Sequence, residues 1–231
     1  PSYNKAIRMS AAAGLKDFSN YLLYNFVDKP LDLYQRLRIN VELCDELNVN
    51  IYSFPMKYHP IRKGKDDAED LSHNRDYIGK HWNRKYIRAI QAILNSTKGK
   101  VGKGITFFLE AFGNDETEYM ELLEMPETFI LYRFFFKWLD EKGSMGTDHW
   151  RQCWSHCMNT LAEDEKQLVL DIIHTNTFYK EELEAVTSAD ALKLLNFYTN
   201  YRKDIITPGT ELYRLKQEYD ENPTIQLRRK K

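Results

Sequence analysis

Apolar residues recur at three- and four-residue steps through Leu33, Tyr34, Leu37, Val41, Cys44 and Leu47, which predicts an amphipathic helix over residues 30–47. A short apolar run ending in polar residues lies on either side of it. The first is Ser19-Asn20-Tyr21-Leu22-Leu23-Tyr24-Asn25-Phe26 and the second is Ile51-Tyr52-Ser53-Phe54-Pro55-Met56-Lys57-Tyr58. Each reads as a strand, over 20–26 and from Val49 onward. A helical crossover between two strands makes a β-α-β unit, with the strands parallel and the connection right-handed. Chemistry in such units collects at the carboxyl ends of the strands. Asp28 is placed to cap the helix that Pro30 opens, Asn48 stands at the following turn, and Pro55, lacking an N–H, is expected to end the second strand. Alternation sends Tyr52, Phe54 and Met56 to one face and Ser53 and Lys57 to the other.

Helical periodicity governs most of the remaining chain. A first helix is expected over residues 3–13, closed by Gly14, and residues 60–76 read as a long polar loop. Tyr86, Ile90, Ile93 and Leu94 define a helix at 82–97, and Phe107, Phe108, Leu109 and Phe112 a short one closed by Gly113. Tyr119, Leu122 and Leu123 follow. A helix from Glu127 to Glu141, opened by Pro126, carries aromatic residues on nearly every face and is expected at the centre of a helical core. Further helices are predicted at 148–161, 163–174, 179–186 and 188–202. The tail 207–231 is expected to be partly helical, then disordered.

Composition narrows the class. A chain of 231 residues with 13% aromatic side chains can bury a core, and ten Gly with seven Pro suit helices better than a turn-rich all-β fold. Lys and Arg number 33 against 34 Asp and Glu, so no global field favours nucleic acid or an acidic membrane. Three cysteines make no disulfide framework, which points to a reducing, cytoplasmic compartment. No apolar run approaches the roughly 20 residues that span a bilayer, and no signal-peptide pattern is present.

The cysteines invite a metal reading. His149, Cys153, His156 and Cys157 share one helical face, and thiolate and imidazole both suit zinc. Four side chains on one helix cannot surround an ion tetrahedrally; a neighbouring pair could bind one with partners from another segment, but core packing is the expectation and no metal is assigned. Cys44 belongs to the amphipathic seam. The basic stretch Arg84-Lys85-Arg88, with Lys98, Lys100 and Lys103, raises a second class of function, a helical interaction module touching nucleic acid. Trp82 or Tyr86 would then stack bases. The neutral overall charge makes a solvated helix face the simpler expectation.

Certain words also resemble the later part of a radical S-adenosylmethionine (radical SAM) domain. Ala12-Ala13-Gly14-Leu15-Lys16-Asp17 is similar to the helix end and turn before that family's fifth strand, and Ser19 to Phe26 to the strand itself. Val27-Asp28-Lys29-Pro30-Leu31-Asp32 resembles the next helix start, Ile51 to Met56 the sixth strand, and His81-Trp82-Asn83-Arg84-Lys85-Tyr86 a helical extension. The resemblance covers residues 1–97. It implies a fold of class α/β: the last two parallel β-α units of a partial TIM-type barrel, followed by a predominantly α-helical carboxyl-terminal region. The boundaries that follow are 1–62 for the barrel part, 63–80 for a loop, 81–206 for the helical region and 207–231 for the tail.

The family cleaves S-adenosylmethionine at a [4Fe-4S] cluster held by C-x3-C-x2-C, a motif this chain lacks. Cofactors are therefore expected only with a missing amino-terminal barrel segment, in the same or a separate polypeptide, and the substrate is unknown. The resemblance implies Asn25, Phe54, Pro55 and Met56 as cofactor-wall residues and Lys57 and Tyr58 as substrate contacts, although Asn25 at the strand exit reads equally as the close of a turn. For the chain alone, Lys57 reads as a solubilising charge on a strand edge, and no catalysis is expected.

Overall fold

The computed structural model describes residues 2–62, 72–73, 75–99, 101–102, 104–223 and 225. The chain divides into two compact units, Pro1–Glu124 and Met125–Lys231.

The first unit is built on the β-α-β segment. Helix α1 (Ser2–Ala12) leads into β1 (Asp17–Tyr24), α2 (Pro30–Leu47) and β2 (Asn50–Lys57). The strands are parallel and in register, with Tyr21 opposite Phe54 and Leu23 opposite Met56. Gly14, at φ 98°, takes the left-handed conformation that ends α1, and Leu15 N–H reaches back to the Ser10 carbonyl over 3.1 Å. Asn48 ends α2 in the same way at φ 49°. Leu33, Leu37 and Cys44 on α2 are fully buried, and Ile7, Leu43, Cys44, Val49 and Ile51 form a core that joins α1 and α2 to β2.

Three boundaries differ from the pattern. β1 starts at Asp17 because its first residues pair with β2 although alternate ones face solvent, and it stops before Asn25, whose φ of 69° leaves the strand conformation. β2 continues through Pro55 to Lys57. The reason lies in hydrogen-bond parity. Asn50 N–H donates to the Lys16 carbonyl just before β1 and Tyr58 N–H to the Tyr24 carbonyl, whereas Ser53 exchanges bonds with Val101 on the opposite edge. The position of the missing Pro55 N–H therefore points away from β1, and no ladder bond is lost. Asp28 does not cap α2. The helix begins after Lys29, whose N–H donates to Asp32 Oδ2 at 2.7 Å. Asp28 instead accepts from Phe26 N–H at 2.9 Å and pairs with Arg36, also at 2.9 Å.

Within the expected 60–76 loop, β3 (Ile61–Arg62) and β4 (Ser72–His73) pair antiparallel, and residues 63–71 lie outside those described. Three helices complete the unit: α3 (Arg84–Ser96), α4 (Ile105–Phe112) and α5 (Glu116–Glu124). α5 packs on α2 and α3. Lys85, fully buried, donates from Nζ to the Leu123 carbonyl at 2.9 Å, placing its charge at the negative end of α5.

The second unit is entirely helical among its described residues: α6 (Glu127–Leu131), α7 (Arg133–Glu141), α8 (Thr147–Thr160), α9 (Glu163–Thr175), α10 (Lys180–Glu184), α11 (Ala189–Thr199), α12 (Tyr201–Ile206) and α13 (Glu211–Glu221). The expected 127–141 helix breaks at Tyr132, and a cylinder with aromatics all round cannot bury every face of them. Phe129, Phe135 and Phe136 are buried while Phe134 stays exposed. The Phe129 and Phe136 rings meet edge-on at 4.2 Å, and Tyr201 joins them. The expected 188–202 helix divides at Asn200, just after Thr199 turns its hydroxyl back to the Leu195 carbonyl at 3.3 Å, a bond that bends helices. The tail contributes α13 to the aromatic core through Tyr219, which meets Phe135 and Trp138 at 5.5 Å. The disorder expected toward the end of the tail falls on residues 226–231, which lie outside those described.

Candidate functional site at the exit of β2

The sheet has one covered face and one open face. Ile51, Ser53 and Pro55 turn toward α2, where Asn40 Nδ2 donates to Ser53 Oγ at 2.9 Å. On the other face stand Tyr21, Leu23, Tyr52, Phe54 and Met56, with Tyr21 69%, Leu23 50% and Met56 47% exposed. The edge of β1 away from β2 pairs with no strand among the described residues. Tyr24 and Lys16 carbonyls face β2, so the backbone groups of Ser19, Tyr21 and Leu23 point outward. Arg36 Nη1 donates to the Leu23 carbonyl at 2.9 Å. The backbone groups of Ser19 and Tyr21 meet no partner among the described residues.

This geometry sorts the residues read from the sequence. Phe54 and Met56 share the open face, whereas Pro55 points the other way and is buried. Asn25 is fully buried in a turn beyond the strand. Its Nδ2 donates to the carbonyls of Tyr58 (3.3 Å) and Tyr77 (3.0 Å), and its Oδ1 accepts from Gly79 N–H at 2.8 Å. That amide is committed to backbone at both ends, which makes Asn25 a structural clamp. Tyr58 packs its ring on Phe26 at 4.5 Å and edge-on to Tyr77 at 5.7 Å. Trp82, offered above as a stacking platform, is buried, with its ring 5.3 Å from that of Tyr24 and Nε1 donating to the Asp28 carbonyl at 2.9 Å. Tyr86 donates to Glu124 at 2.5 Å.

Lys57 leaves the strand on the α2 side and opens a concave pocket of about 200 Å³, lined by Arg75, Asp76, Ile78, Arg84, Ile87, Arg88 and Gln91. Its ammonium donates to the Arg75 carbonyl at 2.8 Å. Partial burial lowers the affinity of Lys57 for its proton; Asp76 raises it and Arg84 lowers it further. The sequence signal for this pocket was the Lys57 position and the Arg84/Arg88 pair. Arg75 and Asp76 carried none, because only the tertiary fold brings them to the strand end.

In the second unit, His149, Cys153, His156 and Cys157 do share a helix face, and with Gln152, Asp190 and Lys193 they line a cavity of about 230 Å³. His156 Nε2 lies 3.1 Å from Asp190 Oδ2, and Cys157 Sγ donates to the Asp190 carbonyl at 3.4 Å. Burial, then Asp190 and Cys153, push the Cys157 thiol up to about 11, so it is neither an activated nucleophile nor a ready ligand at neutral pH. Among the described residues no group of three His, Cys, Asp or Glu side chains is arranged to hold a metal ion.

No helix among the described residues is long and apolar enough to cross a membrane. Comparison with protein-family models, with curated proteins and with solved structures finds no match for this chain.

Proposed function

We propose that this chain is the carboxyl-terminal portion of a radical S-adenosylmethionine enzyme, its β1–β2 sheet forming part of the cofactor-cavity wall and the helices beyond forming an extension. The observation that carries this reading is the two-faced parallel sheet, covered by α2 on one side and open and apolar on the other, with a β1 edge that pairs with no further strand among the described residues. A two-stranded sheet is marginal alone, and an exposed apolar face beside a free edge invites completion by further strands. In a β/α barrel the helices lie outside and the other sheet face lines the interior, and a sheet with α2 on one face and exposed apolar residues on the other supports this reading.

The cysteines of this chain do not fit an iron-sulfur cluster. Cys44 is sealed between α2 and β2, receiving the Ile51 N–H on its sulfur at 3.2 Å, and Cys153 and Cys157 project from a regular helix. The cluster belongs to the segment that completes the barrel. This chain would exclude water and pack apolar surface, Phe54 and Met56 above all, on the adenosyl part of the cofactor. Pro55 and Asn25, turned away from that face, would support it indirectly.

The test is co-expression with a C-x3-C-x2-C polypeptide encoded directly upstream, followed by hydrogen exchange on the complex. Strong protection of the Ser19 and Tyr21 amides, with S-adenosylmethionine binding by the complex and no cluster formed by the chain alone, supports the assignment. Stoichiometric cluster assembly on the isolated chain, or unprotected β1 amides in the complex, overturns it.

A further inference from the structure

We propose that the pocket at the exit of β2 binds the phosphoryl group of a small phosphorylated molecule. This site lies on the α2-facing side of the sheet, away from Phe54 and Met56, and does not rest on the radical SAM reading.

Its lining brings together four cations, Lys57, Arg75, Arg84 and Arg88, and one carboxylate, Asp76. Arg75 and Arg84 make no ion pair among the described residues. Arg84, Ile87, Arg88 and Gln91 fall on a single stripe of α3 and line one wall of the pocket around the buried Ile87. Lys57 is steadied by the Arg75 carbonyl, and its two other N–H donors meet no partner among the described residues. Planar forks beside a point charge suit a tetrahedral polyanion.

Helix α3 adds an independent argument. Its first turn holds Arg84 and Lys85 and no acidic residue, although the amino end of a helix is its positive end. Lys85 is turned away to the end of α5, but Arg84 remains at the pocket. An anion bound beside Arg84 offsets the cations gathered there.

Size and surroundings choose among anions. A volume of about 200 Å³ is below that of a site enclosing a drug-sized ligand, so it takes one phosphoryl or diphosphoryl group and leaves the rest of the molecule outside. Among the described residues no aromatic ring lines it, and Trp82 is buried, so those residues supply none of the stacking platform that accompanies single-stranded nucleic acid.

The experiment is calorimetric titration of the full chain with inorganic pyrophosphate and with phosphate, near 0.1 M salt. Saturable one-to-one binding of pyrophosphate is expected with Kd below ~1 mM. It should weaken at least ~10-fold in Arg84→Gln and in Arg75→Gln, a loss of about 1.4 kcal/mol or more. Both side chains are exposed, so circular dichroism and Tm of the variants should match the parent. Lack of saturation by about 10 mM pyrophosphate would overturn the proposal, as would unchanged affinity in both variants. Tighter binding of a single-stranded oligonucleotide than of pyrophosphate, with a salt slope reporting several phosphates, would overturn it too.

Discussion

The backbone N–H of Gly79 donates to Oδ1 of Asn25 over 2.8 Å, fastening the exit of β1 to a segment 54 residues later in the chain. The fit around this bond is close. A Cβ on Gly79 would lie 2.5 Å from the Phe26 carbonyl oxygen, which is backbone and has little room to move. Asn25 also holds φ 69°, a conformation asparagine tolerates better than alanine does. Asn25→Ala removes three hydrogen bonds to backbone and is expected to cost about 2–4 kcal/mol. Gly79→Ala should destabilise by about 1–3 kcal/mol through overlap alone. Because both changes attack one junction, urea unfolding of the double variant should show a loss smaller than the sum of the two. Full additivity would mean that the two residues act separately.

Leu37 tests the crossover. Its side chain is fully buried at the middle of α2. Leu37→Ala is expected to lower unfolding free energy by about 2–5 kcal/mol, the range for a large-to-small change in a core. A measured loss under about 0.5 kcal/mol, typical of surface sites, would place this face of the helix in solvent instead.

These residues also show how far the sequence could be read. The α2 seam was legible because a helix writes its buried stripe at fixed spacing, and Leu33, Leu37 and Cys44 obeyed it. The alternation of β2 was legible for the same reason, down to the opposed faces of Phe54 and Ser53. Asn25 was visible only as a polar residue at a strand exit, where a ligand contact and a turn look alike. Its partners, Tyr77 and Gly79, come from another part of the chain and leave no local trace. The breaks at Tyr132 and Asn200 were hidden because propensity favours helix through both. Packing of the aromatic core around Phe129 and Tyr201, with the back-bonded Thr199, decides where each helix turns.

Tyr119 is a polar group left over in an apolar place. Its ring is fully buried 4.9 Å from that of Tyr34, and its hydroxyl has no partner among the described residues. Burial raises its pKa far above the ordinary tyrosine value, as expected for a hydroxyl denied water. Replacing an unsatisfied hydroxyl while keeping the ring should recover part of its desolvation cost. Tyr119→Phe is therefore expected to stabilise the protein by up to about 1 kcal/mol. A destabilisation of similar size by thermal unfolding would reveal a hydrogen bond that the hydroxyl makes in solution.

The thiol of Cys157 supplies a pH prediction. The native state holds it protonated, chiefly because it is buried and next because Asp190 and Cys153 stand near; Lys193 opposes them and Glu165 adds a smaller push in the same direction. Its pKa rises from 9.0 to about 11, so between those values the unfolded chain loses the proton while the folded one keeps it. Stability must then fall as pH rises, since the unfolded state binds fewer protons over that window. The contribution is intact below pH 9 and lost progressively as pH climbs to about 11. Tyr201, raised to about 12 mainly by burial, extends the same trend. Urea midpoints should therefore be flat from pH 7 to 8.5 and decline by pH 10.5. Cys157→Ser, which keeps a donor toward the Asp190 carbonyl but does not titrate in this range, should make that decline shallower. An equally steep decline in the serine variant would assign the alkaline sensitivity to the buried tyrosines alone.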